Sequence, residues 1–118
     1  MEDRARTVLH VCPDQQLAES RHPVLAAIGC HVVWVQNEGA ALFEISLGRC
    51  GTLLLCHKLS RAARASVADY FHTNCPDPFI VAIVAYEADR HPPWAHAHVA
   101  YSANHVPLAA VLRRHLAA

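Results

Sequence analysis

Two adjacent residues, Cys56 and His57, offer this chain's plainest chemistry: a thiolate beside its base, the minimal pair for nucleophilic catalysis or redox sensing. Successive residues of a strand point to opposite faces, so the two side chains can meet only where the strand has ended. The alternative is that Cys56 is a small apolar filler, the commonest role of an unpaired cysteine. A second group, His91, His96 and His98 beside Trp94, carries imidazoles that suit Zn²⁺ or Cu²⁺. With ten histidines in 118 residues, however, close spacing arises from composition alone. No cysteine lies near enough in sequence to complete a four-ligand set, so neither a metal nor a cofactor is expected. Trp94 follows Pro92 and Pro93 in a loop, where a rigid aromatic can anchor a partner. Trp34 ends an apolar run and is expected in the core, whereas Arg61, Arg64, Arg113 and Arg114 are expected on solvated helix faces.

The scaffold for these groups is a single domain over residues 1–118, since 53% hydrophobic and 17% charged residues are enough to bury a core. Ten Lys plus Arg balance ten Asp plus Glu, which removes the electrostatic footprint of a nucleic-acid binder. Acidification would make the chain cationic through its histidines. The opening MEDRARTVLHV lacks the apolar stretch of a signal peptide, and no run approaches membrane-spanning length. A cytoplasmic protein without membrane contact is expected. Five cysteines, at 12, 30, 50, 56 and 75, form no CxxC pair, so reduced thiols are the default.

Short β-branched runs alternate with amphipathic segments along the chain. Strands are predicted over residues 7–12, 31–35, 51–56, 79–85 and 97–101. Runs such as LLL at 53–55 and FIVAIVA at 79–85 are apolar at nearly every position, as in parallel strands covered on both faces. The first helix is predicted from about Asp14 to Ile28, with Leu17, Val24, Leu25 and Ile28 inward, Gly29 at its end and a kink at Pro23. Asn37 and Ser60 are predicted to cap the second and third helices, and Pro107 to occupy the first position of the last. Between residues 85 and 97 the segment EADRHPPWAHA leaves room for at most a turn of helix. The predicted fold is α/β: a three-layer, doubly wound, parallel five-stranded sheet in the flavodoxin-like order 2-1-3-4-5, its fourth helix shortened or absent. Ligands of such sheets sit at the carboxyl ends of the strands, here marked by Cys12, Pro13, Asp14, Cys56, His57 and Lys58.

TVLHVCPDQQLAES, HVVWVQNEGAALFEI and GTLLLCHKLSRAARASVADYF together resemble the receiver domains of bacterial response regulators, the CheY-like fold, over essentially the whole chain. The CHxL segment at the end of the third strand resembles a degenerate subgroup of that family. The resemblance implies a pocket of two acidic Mg²⁺ ligands, an acceptor Asp, a hydroxyl residue and a Lys. Here the acidic pair aligns with Cys12 and Pro13, with Asp14 one place later. The acceptor position is Cys56, the hydroxyl position Val84 and the lysine position about Ala103. Lys58 leaves the strand in a different loop and is expected to be an ordinary surface cation. One carboxylate cannot build an octahedral Mg²⁺ site, so the resemblance implies a stand-alone receiver-like module, not an enzyme, that works without phosphoryl transfer through protein partners or self-association. The surface expected to do so carries Trp94, His96, Tyr101 and His105. The competing reading is a small flavodoxin-like redox or thiol-reactive protein using Cys56. A nucleotide or flavin site lacks support, because CPDQQ after the first strand is not a glycine-rich phosphate loop.

Overall fold

The computed structural model describes residues 4–86 and 89–117. Met1 to Asp3 of the charged opening, and Glu87 and Ala88 of the EADRHPPWAHA segment, lie outside the described residues. Five strands, β1 (Thr7–Val11), β2 (His31–Val35), β3 (Thr52–Leu55), β4 (Phe79–Val84) and β5 (Ala97–Ala100), form one parallel sheet in the order 2-1-3-4-5. Four helices accompany them: α1 (Gln15–Ala27), α2 (Glu38–Ser46), α3 (Arg61–Asn74) and α4 (Val106–Ala117). The predicted fold class is the one observed. Between β4 and β5 no helix forms among the described residues, because Pro92 and Pro93 interrupt the segment.

The sheet is apolar on both faces, and each face builds its own core. Leu9, Val11, Leu53, Leu55 and Ile80 pack with Ala41 and Ile45 of α2 and with Val67 and Phe71 of α3. Val8, Leu54, Val81, Ile83 and Val99 pack on the other side with Leu25 of α1 and Leu108 and Leu112 of α4. The two-residue strand period separates these sets. It also sends His10 of the first strand, and Cys12 and Cys56 just past the first and third, to the α1 side.

Capping follows side-chain chemistry. Asp14, Asn37 and Ser60 each accept backbone amides at the starts of α1, α2 and α3. Gly29, at φ +89, ends α1 in the left-handed region that a side chain would disfavour. Gly51 is required for a different reason: a Cβ there would lie 2.7 Å from the Arg4 carbonyl oxygen, to which the Gly51 amide donates. Pro107 falls at the second helical position, after Val106, instead of the first. Trp34, expected in the core, stands on the edge strand and is 37% exposed, its Nε1 donating to the Cys12 carbonyl at 3.0 Å. An edge strand has a neighbour on one side only, and that removes half the cover a central strand enjoys.

Helix α1 continues through Pro23, an exposed position. Proline has no amide for the Glu19 carbonyl, and an interior proline costs about 3 kcal/mol relative to alanine, offset by about 1 kcal/mol of lost freedom in the unfolded chain. Pro23→Ala is therefore expected to stabilise the protein by about 2 kcal/mol. A urea midpoint that does not rise would show that the helix already accommodates the ring.

Candidate functional site

The carboxyl ends of β1 and β3 lie side by side, with Val11 opposite Leu55 in the parallel register. One residue further, Cys12 and Cys56 end these strands on the same face, both fully buried and packed with Leu17 and Ala18 of α1. The Cys56 amide still donates to the Val11 carbonyl at 3.1 Å, which holds the two cysteines level.

Into this pair α1 inserts Arg21, a residue the sequence reading passed over. Its side chain is wholly buried. Its Nη1 lies 3.2 Å from Cys56 Sγ, 3.6 Å from Cys12 Sγ and 3.1 Å from His10 Nε2. Nε and Nη2 are buried without a hydrogen-bond partner, and among the described residues no carboxylate pairs with the guanidinium. The signal was present as spacing: Leu17, Arg21 and Leu25 recur every four residues along the inward stripe, so the arginine occupies a core position.

A guanidinium cannot be deprotonated in a protein, and burying it without an anion is costly. The neighbours adjust accordingly. The Cys56 thiol is pulled down to about 5, first by the hydrogen bond from Cys12 and then by Arg21 and the Lys58 amide, against the opposing effect of burial. Cys12 moves upward, because its thiol proton is held toward Cys56 and because it is buried; its sulfur also lies 3.3 Å from the Asp14 carbonyl oxygen. His10 is pushed down to about 3 by burial, with Arg21 and His105 adding repulsion. It is therefore neutral and accepts from Arg21 at Nε2. The resulting site is a thiolate–guanidinium pair flanked by a neutral thiol and a neutral imidazole.

The other pocket positions divide by surroundings. Asp14 Oδ1 accepts the amides of Gln16 at 3.0 Å and Leu17 at 3.2 Å, so this carboxylate serves as the cap of α1. Pro13, Lys58 and Ala103 are exposed, and Val84 is buried at the end of β4. His57 lies just past the end of β3, which allows its Nδ1 to come within 3.9 Å of Cys56 Sγ; burial lowers its basicity.

The four expected surface residues are split between the two sides of the sheet. Trp94 is half-buried against the α2/α3 core. His105, in contrast, is buried on the α1 side, 5% exposed, with its Nε2 2.9 Å from Ser20 Oγ. This removes His105 from the expected partner surface, because the loop before α4 turns through a positive φ there and folds the ring inward. Tyr101 is 40% exposed, between the His57 and His105 rings. His96 is exposed, with Nδ1 accepting the Ile80 amide at 3.0 Å. His91 and His98 approach each other at 2.6 Å between their Nδ1 atoms. Among the described residues no three His, Cys, Asp or Glu side chains are placed to share a metal ion.

Where a fourth crossover helix would lie, a cavity of about 750 Å³ opens between the start of α3 and the β4–β5 connection. Arg61, Arg64, Arg90, His57, His91 and Trp94 line it, with Asp89 as the one acidic neighbour among the described residues. Its cationic and aromatic lining suits an anionic group. Among the described residues no helix is long and apolar enough to cross a membrane.

No protein-family model matches the chain, and no curated protein does. Solved structures do match in shape. The response regulator TrrA from Thermotoga maritima, in complex with Mg²⁺ and BeF, is 20% identical with a TM-score of 0.79, covering 92% of this chain and 96% of that one. A CheY-like receiver domain protein from Methanospirillum hungatei is 18% identical with a TM-score of 0.80, covering 96% and 94%. The receiver domain of a sensor histidine kinase from Pseudomonas aeruginosa, with a magnesium ion coordinated in its active-site cleft, is 16% identical with a TM-score of 0.75, covering 97% and 99%. The strand order, the helix placement and these likenesses together give the chain the fold of CheY-like response-regulator receiver domains.

Proposed function

We propose that this protein is a cytoplasmic receiver-like module that takes part in two-component signalling by binding a partner protein, without phosphoryl transfer and without enzymatic activity of its own. The observation that carries the reading is the acceptor position: Cys56 stands there, buried, with Arg21 Nη1 3.2 Å from its sulfur. An acyl phosphate needs a carboxylate nucleophile, and Mg²⁺ needs several hard oxygen ligands. Asp14 is the single carboxylate nearby in sequence, and its Oδ1 is taken by two amides. The guanidinium occupies the space with a positive charge of its own, which opposes a cation.

A protein partner is supported by the fold, since TrrA has also been solved in complex with the histidine kinase ThkA. The test is incubation of the wild-type chain with acetyl phosphate, or with beryllofluoride, in the presence of Mg²⁺. Unchanged intact mass and an unchanged amide spectrum are expected. A stoichiometric phosphoryl adduct on any side chain, or a beryllofluoride-dependent shift centred on residues 12–14 and 56–58, would overturn the reading.

A further inference from the structure

We propose that Cys12 and Cys56 form an oxidant-sensitive dithiol, in which hydrogen peroxide attacks at Cys56 and Cys12 closes a disulfide across the ends of β1 and β3. The inference does not rest on the signalling role proposed above. It rests on three placements. The cysteines end neighbouring parallel strands at the same level and on the same face. Adjacent strands lie about 4.8 Å apart, inside the range of about 4.4 to 6.8 Å between Cα atoms that a disulfide requires. And Arg21, wholly buried, gives Cys56 a permanent cationic neighbour at 3.2 Å while Nε and Nη2 remain without partners.

A cysteine is a nucleophile as its thiolate, and a fixed cation favours that form. The lowered Cys56 value agrees with the geometry. Cys12 is the complementary partner: its proton is retained until a sulfenic acid stands beside it, so it acts second. In the first step the Cys56 sulfur attacks one peroxide oxygen; the S–O bond forms, the O–O bond breaks, and the departing hydroxide takes a proton from solvent to become water. In the second step Cys12 sulfur attacks Cys56 sulfur; the S–S bond forms, the S–O bond breaks, and the leaving hydroxide takes the Cys12 proton. Two thiols lose two electrons, and one peroxide is reduced to two waters.

Access decides the oxidant. Cys56 is fully buried, but Arg21 also lines a small recess with Tyr101, Ser102 and His105, of about 10 Å³. That is about the room one water needs, and neither cysteine lines it, so an oxidant reaches Cys56 only as α1 opens, and the small hydrogen peroxide needs less opening than a bulky organic hydroperoxide. Oxidation also removes the anion beside Arg21, so α1 is the element that must respond.

Wild-type protein treated with one equivalent of hydrogen peroxide near neutral pH should lose the mass of two hydrogens, and peptide mapping should find Cys12 linked to Cys56. Cys30, Cys50 and Cys75 serve as internal references and should remain alkylatable. In Cys12→Ser the reaction should stop at a sulfenic acid on Cys56, captured by a dimedone adduct. Cumene hydroperoxide should react at least about tenfold more slowly than hydrogen peroxide. The readout in the wild type does not depend on any variant folding. Oxidation of Cys56 no faster than of the three reference cysteines, or a disulfide that joins another pair, would overturn the proposal. The phosphorylation test above would be unaffected by either result.

Discussion

Cys56→Ser is expected to destabilise the protein by about 3 to 5 kcal/mol, far more than the loss of a small buried filler, because it strips a buried guanidinium of its counter-charge. The serine hydroxyl can accept a hydrogen bond from Arg21, as Cys56 Sγ does at 3.2 Å. It cannot ionise near neutral pH, so Arg21 keeps a buried charge with no anion and two unpartnered nitrogens. Arg21→Met should cost less, about 1 to 2 kcal/mol, since a thiolate left alone can take up a proton whereas a guanidinium cannot release one. The double variant Cys56→Ala with Arg21→Met should recover most of the loss, because an apolar pair of similar volume often matches a buried ion pair in stability. Urea unfolding of the four proteins near pH 8 checks all three statements. If Cys56→Ser costs less than about 1 kcal/mol, or if the double variant is no more stable than Cys56→Ser, the charge pairing is wrong.

Stability should fall as the solution is acidified from pH 8 to pH 5, and the same cluster accounts for the slope. Cys56 ionises near 5 in the folded chain against an ordinary value of 9.0, and His10 near 3 against 6.5. Both folded values are depressed, so the unfolded chain binds more protons in each window. The Cys56 contribution is complete above pH 9 and is lost as pH falls toward 5; that of His10 is complete above 6.5 and is lost toward 3. One such group gives up to about 1.4 kcal/mol per pH unit, and the two together about twice that where the windows overlap. His57, His96 and His105, all lowered by burial, act in the same direction. Cys12, shifted the other way, acts only above its ordinary value. General repulsion among surface positive charges would also destabilise the acid form, but salt screens surface charge and hardly touches buried groups. Urea midpoints at pH 8, 6.5 and 5, at low and at high salt, separate the two. A profile that is flat, or one abolished by salt, would contradict the buried cluster as its origin.

Much of the scaffold is written locally. Alternating apolar runs, the caps at Asp14, Asn37 and Ser60 and the prolines of the β4–β5 connection each act within a few residues of themselves, so element order, and the absence of a crossover helix among the described residues of that connection, follow from the chain. Errors arose where burial depends on which neighbours a segment acquires. Trp34 lies in an apolar run but on an edge strand, and His105 lies in a polar loop that turns its ring into the protein. Position along the sheet is a non-local property, and no window of sequence contains it.

The candidate site shows the same division. That Cys12 and Cys56 close the first and third apolar runs, and so stand at the carboxyl ends of neighbouring strands, was legible in the sequence. An arginine four residues from Leu17 and four from Leu25 marked a core position on α1, without saying what it would meet. Only the tertiary structure decided that. It set α1 across the ends of β1 and β3, brought one guanidinium within 3.6 Å of His10, of Cys12 and of Cys56, the last 35 residues from Arg21 in sequence, and shut the group away from water. The physical reason is that charge state is a property of surroundings: the same Cys56 is an inert thiol in an apolar pocket and a thiolate beside a buried cation, and the chain determines the residue while the fold determines the neighbour.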